Sequence, residues 1–277
     1  MQNRLKYFIK YIIEKFLPFF LRKNEIRNII ANSGYFIDEK RLKPMLKLLN
    51  AAELRSRDKI LELFFHSKSQ FGQDLFVLAA LDFPKFGYFV EFGAADGKEI
   101  SNTFLLEKEF QWMGILAEPA KVWRKHLIRN RKAHIETRCV YSETGKWLEF
   151  QESKKFATLS AIKSDGDHIP SPMNYKVETI SLFDLLDEFK APQIIDYLSI
   201  DVEGSELSIL RNFNFSKYSF KIITVEHNFR NDAKELIDLL KSKGYAQVFP
   251  ELSGIEGWFL NEKFTYKNFR FLELDVH

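Results

Sequence analysis

A chain of 277 residues, 45% hydrophobic and 29% charged, with 28 Phe and 10 Tyr, has enough apolar material for one sizeable α/β domain plus an extension. That balance excludes a disordered chain, and a net charge of +3 without a linear basic stripe makes no case for a nucleic-acid partner. The one cysteine, Cys139, excludes an intramolecular disulfide and fits a reducing, cytoplasmic compartment.

In chain order, residues 1–23 carry Leu5, Phe8, Ile9, Ile12, Ile13, Phe16 and Phe20 at helical spacing. Lys10, Glu14, Lys15 and Pro18 interrupt the apolar run, so it cannot span a bilayer, and it lacks the pattern of a secretory signal. Two readings stay open. One is a basic amphipathic helix on a membrane surface, which would make the protein peripheral at the inner face. The other is a helix packed on the domain or on a second copy in a homo-oligomer. The helical pattern continues from Asn24 to Ser67, with breaks near Ser33-Gly34 and Lys43-Pro44. Residues 1–67 therefore read as a helical extension and residues 68–277 as the main domain.

Beyond about residue 70, short apolar β-type runs alternate with amphipathic helical stretches. Strands are expected at Tyr88–Phe92, Gly114–Ala117, His134–Val140, Leu148–Phe150, Ile195–Ile200, Lys221–Val225, Ala246–Phe249 and Gly257–Leu260. Helices are expected at Asp74–Leu81, Thr103–Glu109, Lys121–Arg129, Leu182–Phe189, Glu206–Arg211 and Ala233–Lys243. This alternation predicts a mainly parallel sheet covered on both faces. The connection Pro250–Glu256 is too short for a parallel crossover, so the last two strands should form an antiparallel hairpin. The expected fold is therefore an α/β, Rossmann-like class I methyltransferase with a seven-stranded sheet ending in that hairpin. The segment Lys154–Tyr175 reads as a long loop and as a candidate for acceptor binding and water exclusion.

The strongest local signal is Tyr88–Gly97, YFVEFGAADG, an apolar strand that ends in an acid and a small-residue turn. Ligands of open α/β sheets sit outside the carboxyl ends of the strands. Gly93, Ala94 and Gly97 would let a ligand approach the backbone. Glu91 and Asp96 would serve the ammonium end of a methionine moiety. Ser101 and Asn102 either reach the same ligand or only cap the next helix. Glu118-Pro119, after the next strand, falls where a carboxylate receives ribose hydroxyls, and Tyr141-Ser142 falls where adenine would rest. No G-x-G-x-x-G or G-x-x-x-x-G-K-[ST] stretch occurs, which weighs against a pyrophosphate ligand and a nicotinamide oxidoreductase. The cofactor so described is S-adenosylmethionine.

Ser69–Asp74, Phe89–Gly97, Ser101–Thr103, Trp112–Pro119, Tyr197–Glu206 and Val225–Asn228, in this order, resemble the FkbM-type methyltransferases over roughly residues 68–260. The resemblance implies O-methylation, usually of a sugar hydroxyl in a glycan or of a secondary metabolite, and implies that Gln73 approaches the cofactor.

Asp201 and Glu203 follow the fourth main strand, and Glu226-His227-Asn228 ends the fifth. These residues should face the acceptor. Methyl transfer is an in-line displacement that depends on alignment, and an alcohol acceptor also needs a base. Asp201, Glu203 and His227 are the candidate catalytic residues. Alternatively, Asp201, Glu226 and His227 would hold Mg²⁺ or Mn²⁺ to polarise the hydroxyl. The expected function is a sugar O-methyltransferase of glycan or glycoconjugate biosynthesis. The competing class is a non-catalytic adenosylmethionine- or nucleotide-binding module in a membrane-associated assembly.

Overall fold

The structure is a computed structural model that describes residues 39–152, 160–162, 173–250 and 254–269. The helix expected over residues 1–23, its extension to residue 38, and most of the 154–175 segment lie outside the described residues. Two compact units emerge, Met1–Phe83 with Tyr266–His277, and Pro84–Thr265.

In the first unit, helices α1 (Glu39–Ala51), α2 (Leu54–Phe64) and α3 (Gln73–Ala80) follow one another. The helical stripe of the sequence is the buried one: Met45, Leu49 and Ala52 are inside, joined by Leu48. Every residue of α3 is buried. Part of its cover is the returning C-terminal segment, where Lys267 N donates to Ala80 O at 2.9 Å and the Phe269 ring lies 5.7 Å from Phe76. α3 thus groups with the helices before it in the first compact unit.

The second unit carries β1 (Tyr88–Phe92), α4 (Phe104–Phe110), β2 (Met113–Ala117), α5 (Arg124–Asn130), β3 (His134–Glu136), β4 (Cys139–Tyr141), β5 (Trp147–Glu152), β6 (Ser160–Ile162), β7 (Met173–Ser181), α6 (Leu182–Glu188), β8 (Ile194–Ile200), α7 (Glu206–Arg211), β9 (Ser219–Glu226), α8 (Ala233–Ser242), β10 (Tyr245–Val248) and β11 (Glu256–Asn261). A seven-stranded sheet runs β10-β11-β9-β8-β1-β2-β3. Its β9, β8, β1, β2 and β3 pair in parallel, whereas β11 pairs antiparallel with both β9 and β10. The expected hairpin is therefore present, with its second strand inserted between β9 and β10. The core runs through Val90, Ile115, Leu198, Ile223 and Phe259 and is covered by Leu185, Leu210 and Leu236 of the helices.

Two expectations need correction. His134–Val140 is not one strand. Glu136 turns back on Arg138, whose backbone N–H and guanidinium both donate to its carboxylate, and the chain breaks there. Beyond the break, β4 leaves the large sheet for a second sheet ordered β4-β7-β5-β6. Nor is Lys154–Tyr175 wholly a loop: it contains β6 and the start of the nine-residue β7. The signal for β7 was the alternation Tyr175, Val177, Thr179 between polar neighbours, a period of two that marks a strand. Among the described residues, no helix is long and apolar enough to cross a membrane.

Candidate cofactor cavity and acceptor edge

The loop after β1 lies at the carboxyl edge of the sheet, and its glycines are fixed by contact. Gly93 has φ +74°, and a Cβ there would stand 1.9 Å from the Asp201 carbonyl oxygen at the end of β8. No side chain fits that approach, whatever the ligand. Gly97, at φ +76°, is crowded by side chains, with Leu127 Cδ1 at 2.5 Å and Arg131 Cγ at 2.7 Å from the same hypothetical atom. Asp96 shapes the turn between them, accepting from Lys98 N and Glu99 N.

Glu91 is placed differently from the sequence expectation. It is buried, and its carboxylate accepts from Ser101 Oγ, Asn102 N and Thr103 Oγ1. Arg131 Nη1 adds an ion pair at 3.6 Å. Through these partners Glu91 holds the loop, and it is not in the wall of the cavity described below. Ser101 and Asn102 share that role. Ser101 Oγ also accepts from Phe104 N at the start of α4, and Asn102 Nδ2 donates to Ser199 Oγ. Asn102 Oδ1 is buried without a hydrogen-bond partner.

Arg131 was not singled out in the sequence. It is 5% exposed, and its guanidinium donates to Glu107 Oε2, Gly97 O, Ser101 Oγ and Thr103 Oγ1 at 2.9–3.2 Å. Burial pushes the Glu107 carboxyl up, but the Arg131 charge and the Lys132 N–H more than offset this and leave it below the usual range. One buried cation thus ties β1, the glycine loop and α4 together.

A cavity opens beside Gly93. Its wall contains Gly93, Ala95 and Ile100 from the first loop, Glu118 and Pro119 after β2, and Asp201, Val202 and Glu203 after β8. Trp123, Cys139, Val140 and Phe150 form its apolar side. Glu118 is 8% exposed, and its two oxygens accept from Ala95 N and Ala120 N, each at 2.8 Å. Burial pushes its carboxyl up to about 7, against the pull of those two N–H groups and with help from the negative charges of Asp201 and Glu152. Ala94 is buried behind the loop, with its N–H directed to Ala117 O. Tyr141 and Ser142 are not in the wall. Tyr141 ends β4, and Ser142 after it lines a separate depression with Thr144 and Asp184. The flat apolar surface lies instead at Trp123, Val140 and Phe150. The sequence clue was only that Trp123 follows Glu118-Pro119 within one turn.

At the far side of the cavity, one ligand atom each from Asp201, Glu203 and Glu226 lies within 4.8 Å of the others. Burial raises the Asp201 and Glu226 carboxyls, which are hydrogen-bonded to each other, and the Asp201 charge pushes Glu226 further. Glu203 is pushed up to about 7, by burial first and then by Asp201 and Glu206. The nearby cation Arg230 is committed to Glu206 and Asp232. Glu226 is 9% exposed, and its Oε2 has no hydrogen-bond partner.

His227 does not join this group. Its Nδ1 accepts from Phe229 N at 3.3 Å, the Glu256 backbone takes a further hydrogen bond from the ring, and burial holds its pKa below the usual value. Phe229 N in the loop after β9 and the Glu256 backbone of β11 thus hold the ring in place. Glu203 takes its place in the acidic group. Gln73 lies in the first unit, where its Oε1 accepts from Phe71 N at the start of α3.

The sheet order, the single reversed strand and a carboxylate-and-glycine cavity at the carboxyl edge define a class I, Rossmann-like methyltransferase. Residues 91–246 match the family described as the Methyltransferase FkbM domain, and the chain belongs to that family. It is thus a methyltransferase with S-adenosylmethionine as methyl donor. No curated protein sequence matches the chain. Among solved structures it is similar to a precorrin-6y C5,15-methyltransferase from Geobacter metallireducens GS-15, with 9% identity, 63% of this chain and 72% of that chain covered, and a TM-score of 0.36. It is also similar to a human methyltransferase 10 domain containing protein, with 12% identity, 84% and 90% covered, and a TM-score of 0.34. Likenesses this distant do not bear on substrate.

Proposed function

We propose that the protein transfers the methyl group of S-adenosylmethionine to a sugar hydroxyl of a glycan or glycoconjugate precursor. The observation that carries this reading is the single cavity in which Glu118, Gly93, Asp201 and Glu203 share one wall. The donor set fits the cofactor. Glu118 offers a carboxylate to the ribose diol, Trp123, Val140 and Phe150 offer an apolar face to adenine, and Gly93 leaves room that a Cβ would fill. When bound, the cofactor supplies an electrophilic methyl on a sulfonium. The chain's own task is to align an alcohol with that carbon and to remove its proton. Glu203 and Asp201 border the space where the alcohol must sit, and a carboxylate with a pKa near 7 suits a base working near neutral pH.

The test is methyl transfer to a panel of sugar glycosides, free and nucleotide-linked, by the wild-type chain, Glu203→Gln and Asp201→Asn. Loss of a general base should lower kcat by roughly 10²–10⁴, with little change in adenosylhomocysteine affinity for Glu203→Gln. Cofactor binding with no turnover on any hydroxyl compound would instead favour a non-catalytic binding module. Turnover only on non-sugar alcohols would keep O-transfer and move the acceptor to a secondary metabolite.

A second reading has its own observation, the orphaned Glu226 Oε2 facing two further carboxylates. Mg²⁺ or Mn²⁺ held by Asp201, Glu203 and Glu226 would neutralise this cluster and polarise the hydroxyl. Mn²⁺ titration followed by electron paramagnetic resonance decides it. Saturable binding that Glu226→Gln abolishes supports the metal, and an undiminished free-Mn²⁺ signal overturns it.

A further inference from the structure

The net charge of +3 hides one strongly basic stretch. Between Glu118 and Glu136 there is no acidic residue, while Lys121, Arg124, Lys125, Arg129, Arg131 and Lys132 all fall there. Only Arg131 turns inward, beside the buried Leu127. The other cations are exposed. In α5, Lys125, Ile128 and Arg129 recur at positions i, i+3 and i+4, which puts them on one helical face, and the exposed Lys132 follows just after the helix. Ile128 is 58% exposed among these cations, and Val122, just ahead of the helix, is 49% exposed. The helix leads into β3, the terminal strand of the large sheet.

Cations alone would suit any polyanion. Branched aliphatic side chains standing among them suit one with an apolar layer beneath its charges. A nucleic acid gains its affinity from phosphates and has no such layer for Ile128 or Val122. An anionic bilayer offers both, drawing the cations to its headgroups and the aliphatic groups to the acyl boundary. We propose that the α5 face docks on an anionic phospholipid surface. Lys121 follows Glu118-Pro119 of the cavity wall by two residues, so docking brings the cavity rim to the headgroup layer. This inference does not depend on the acceptor proposed above.

Co-sedimentation of the full chain tests it, using vesicles of phosphatidylglycerol with phosphatidylcholine and vesicles of phosphatidylcholine alone, at about 0.1 M salt. The wild-type chain should sediment with the anionic vesicles only. At about 1 kcal/mol for each basic residue near such a surface, Lys125→Glu with Arg129→Glu should weaken partitioning at least tenfold. Ile128→Asp should weaken it several-fold. A control with the same charge change elsewhere, Lys241→Glu with Lys243→Glu at the exposed end of α8, should stay within about twofold. Circular dichroism confirms that each variant is folded, and no cofactor is needed for the readout. No sedimentation of the wild-type chain overturns the proposal. So does an equal loss in the α8 control, or full binding by Ile128→Asp, because the surface would then act only as diffuse charge.

Discussion

Arg131→Ala is expected to destabilise the second unit by about 3–5 kcal/mol, because it leaves buried carboxylates without their cation. Arg131 is enclosed, and its fork reaches Glu91, Glu107, Gly97, Ser101 and Thr103 at once. A point charge cannot reproduce that pattern, so Arg131→Lys should also lose a large part of the stability. The measurement is the urea midpoint of each variant with the slope held constant. Glu107→Gln in the Arg131→Ala background should recover part of the loss, since one stranded carboxylate is removed. An unchanged midpoint for Arg131→Ala would show that water reaches this cluster and that the ion pairs are not holding the loop. The same variant should weaken cofactor binding although Arg131 is not in the cavity wall, because Gly97 and the start of α4 lose their anchor.

Glu118→Ala is expected to weaken S-adenosylhomocysteine binding about 100-fold or more. Hydrogen bonds to a charged group are worth about 1.5–3 kcal/mol each, and the ribose would lose two of them. Glutamine is a poorer probe here than it looks. Both Glu118 oxygens already accept backbone N–H groups, so an amide would set a donor against Ala95 N or Ala120 N. Affinity should also depend on pH with a definite sign. The ionised form accepts both hydroxyls, so affinity should rise with pH through about 7 and then level off. Folding runs the other way. A carboxyl raised from 4.5 to about 7 contributes stability below 4.5 that is lost as pH rises through 7. Cofactor should therefore stabilise the chain most above neutrality. Isothermal titration at pH 5.5, 7.0 and 8.5 measures it, and a flat profile for the wild-type chain would remove Glu118 from the ribose.

Substitution at Gly93 is less informative. With Asp201 O so close and φ positive, even alanine would disturb the junction of β1 and β8, so lost binding would report lost structure.

Local spacing determined a good deal of this protein. Strand and helix alternation depends on periods of two and about 3.6, and both are written directly in residue order, so the parallel sheet and the final hairpin were legible. Chain connectivity made Glu118 legible too, because a parallel strand must deliver the residue after its last position to the same sheet edge. Only the tertiary structure decided which acidic residues face the cavity and which are consumed inside. Glu91 and Glu118 look alike in sequence, yet Arg131, forty residues after Glu91, closes one of them off while the other meets open space. His227 was separated from Glu203 in the same way, by hydrogen bonds to Phe229 and to the Glu256 backbone on a different strand. The departure of β4 to a second sheet depended on the Glu136–Arg138 turn and on a distant partner in β7. Pairings across long stretches of chain leave no periodic trace, and burial and partner choice are properties of those pairings.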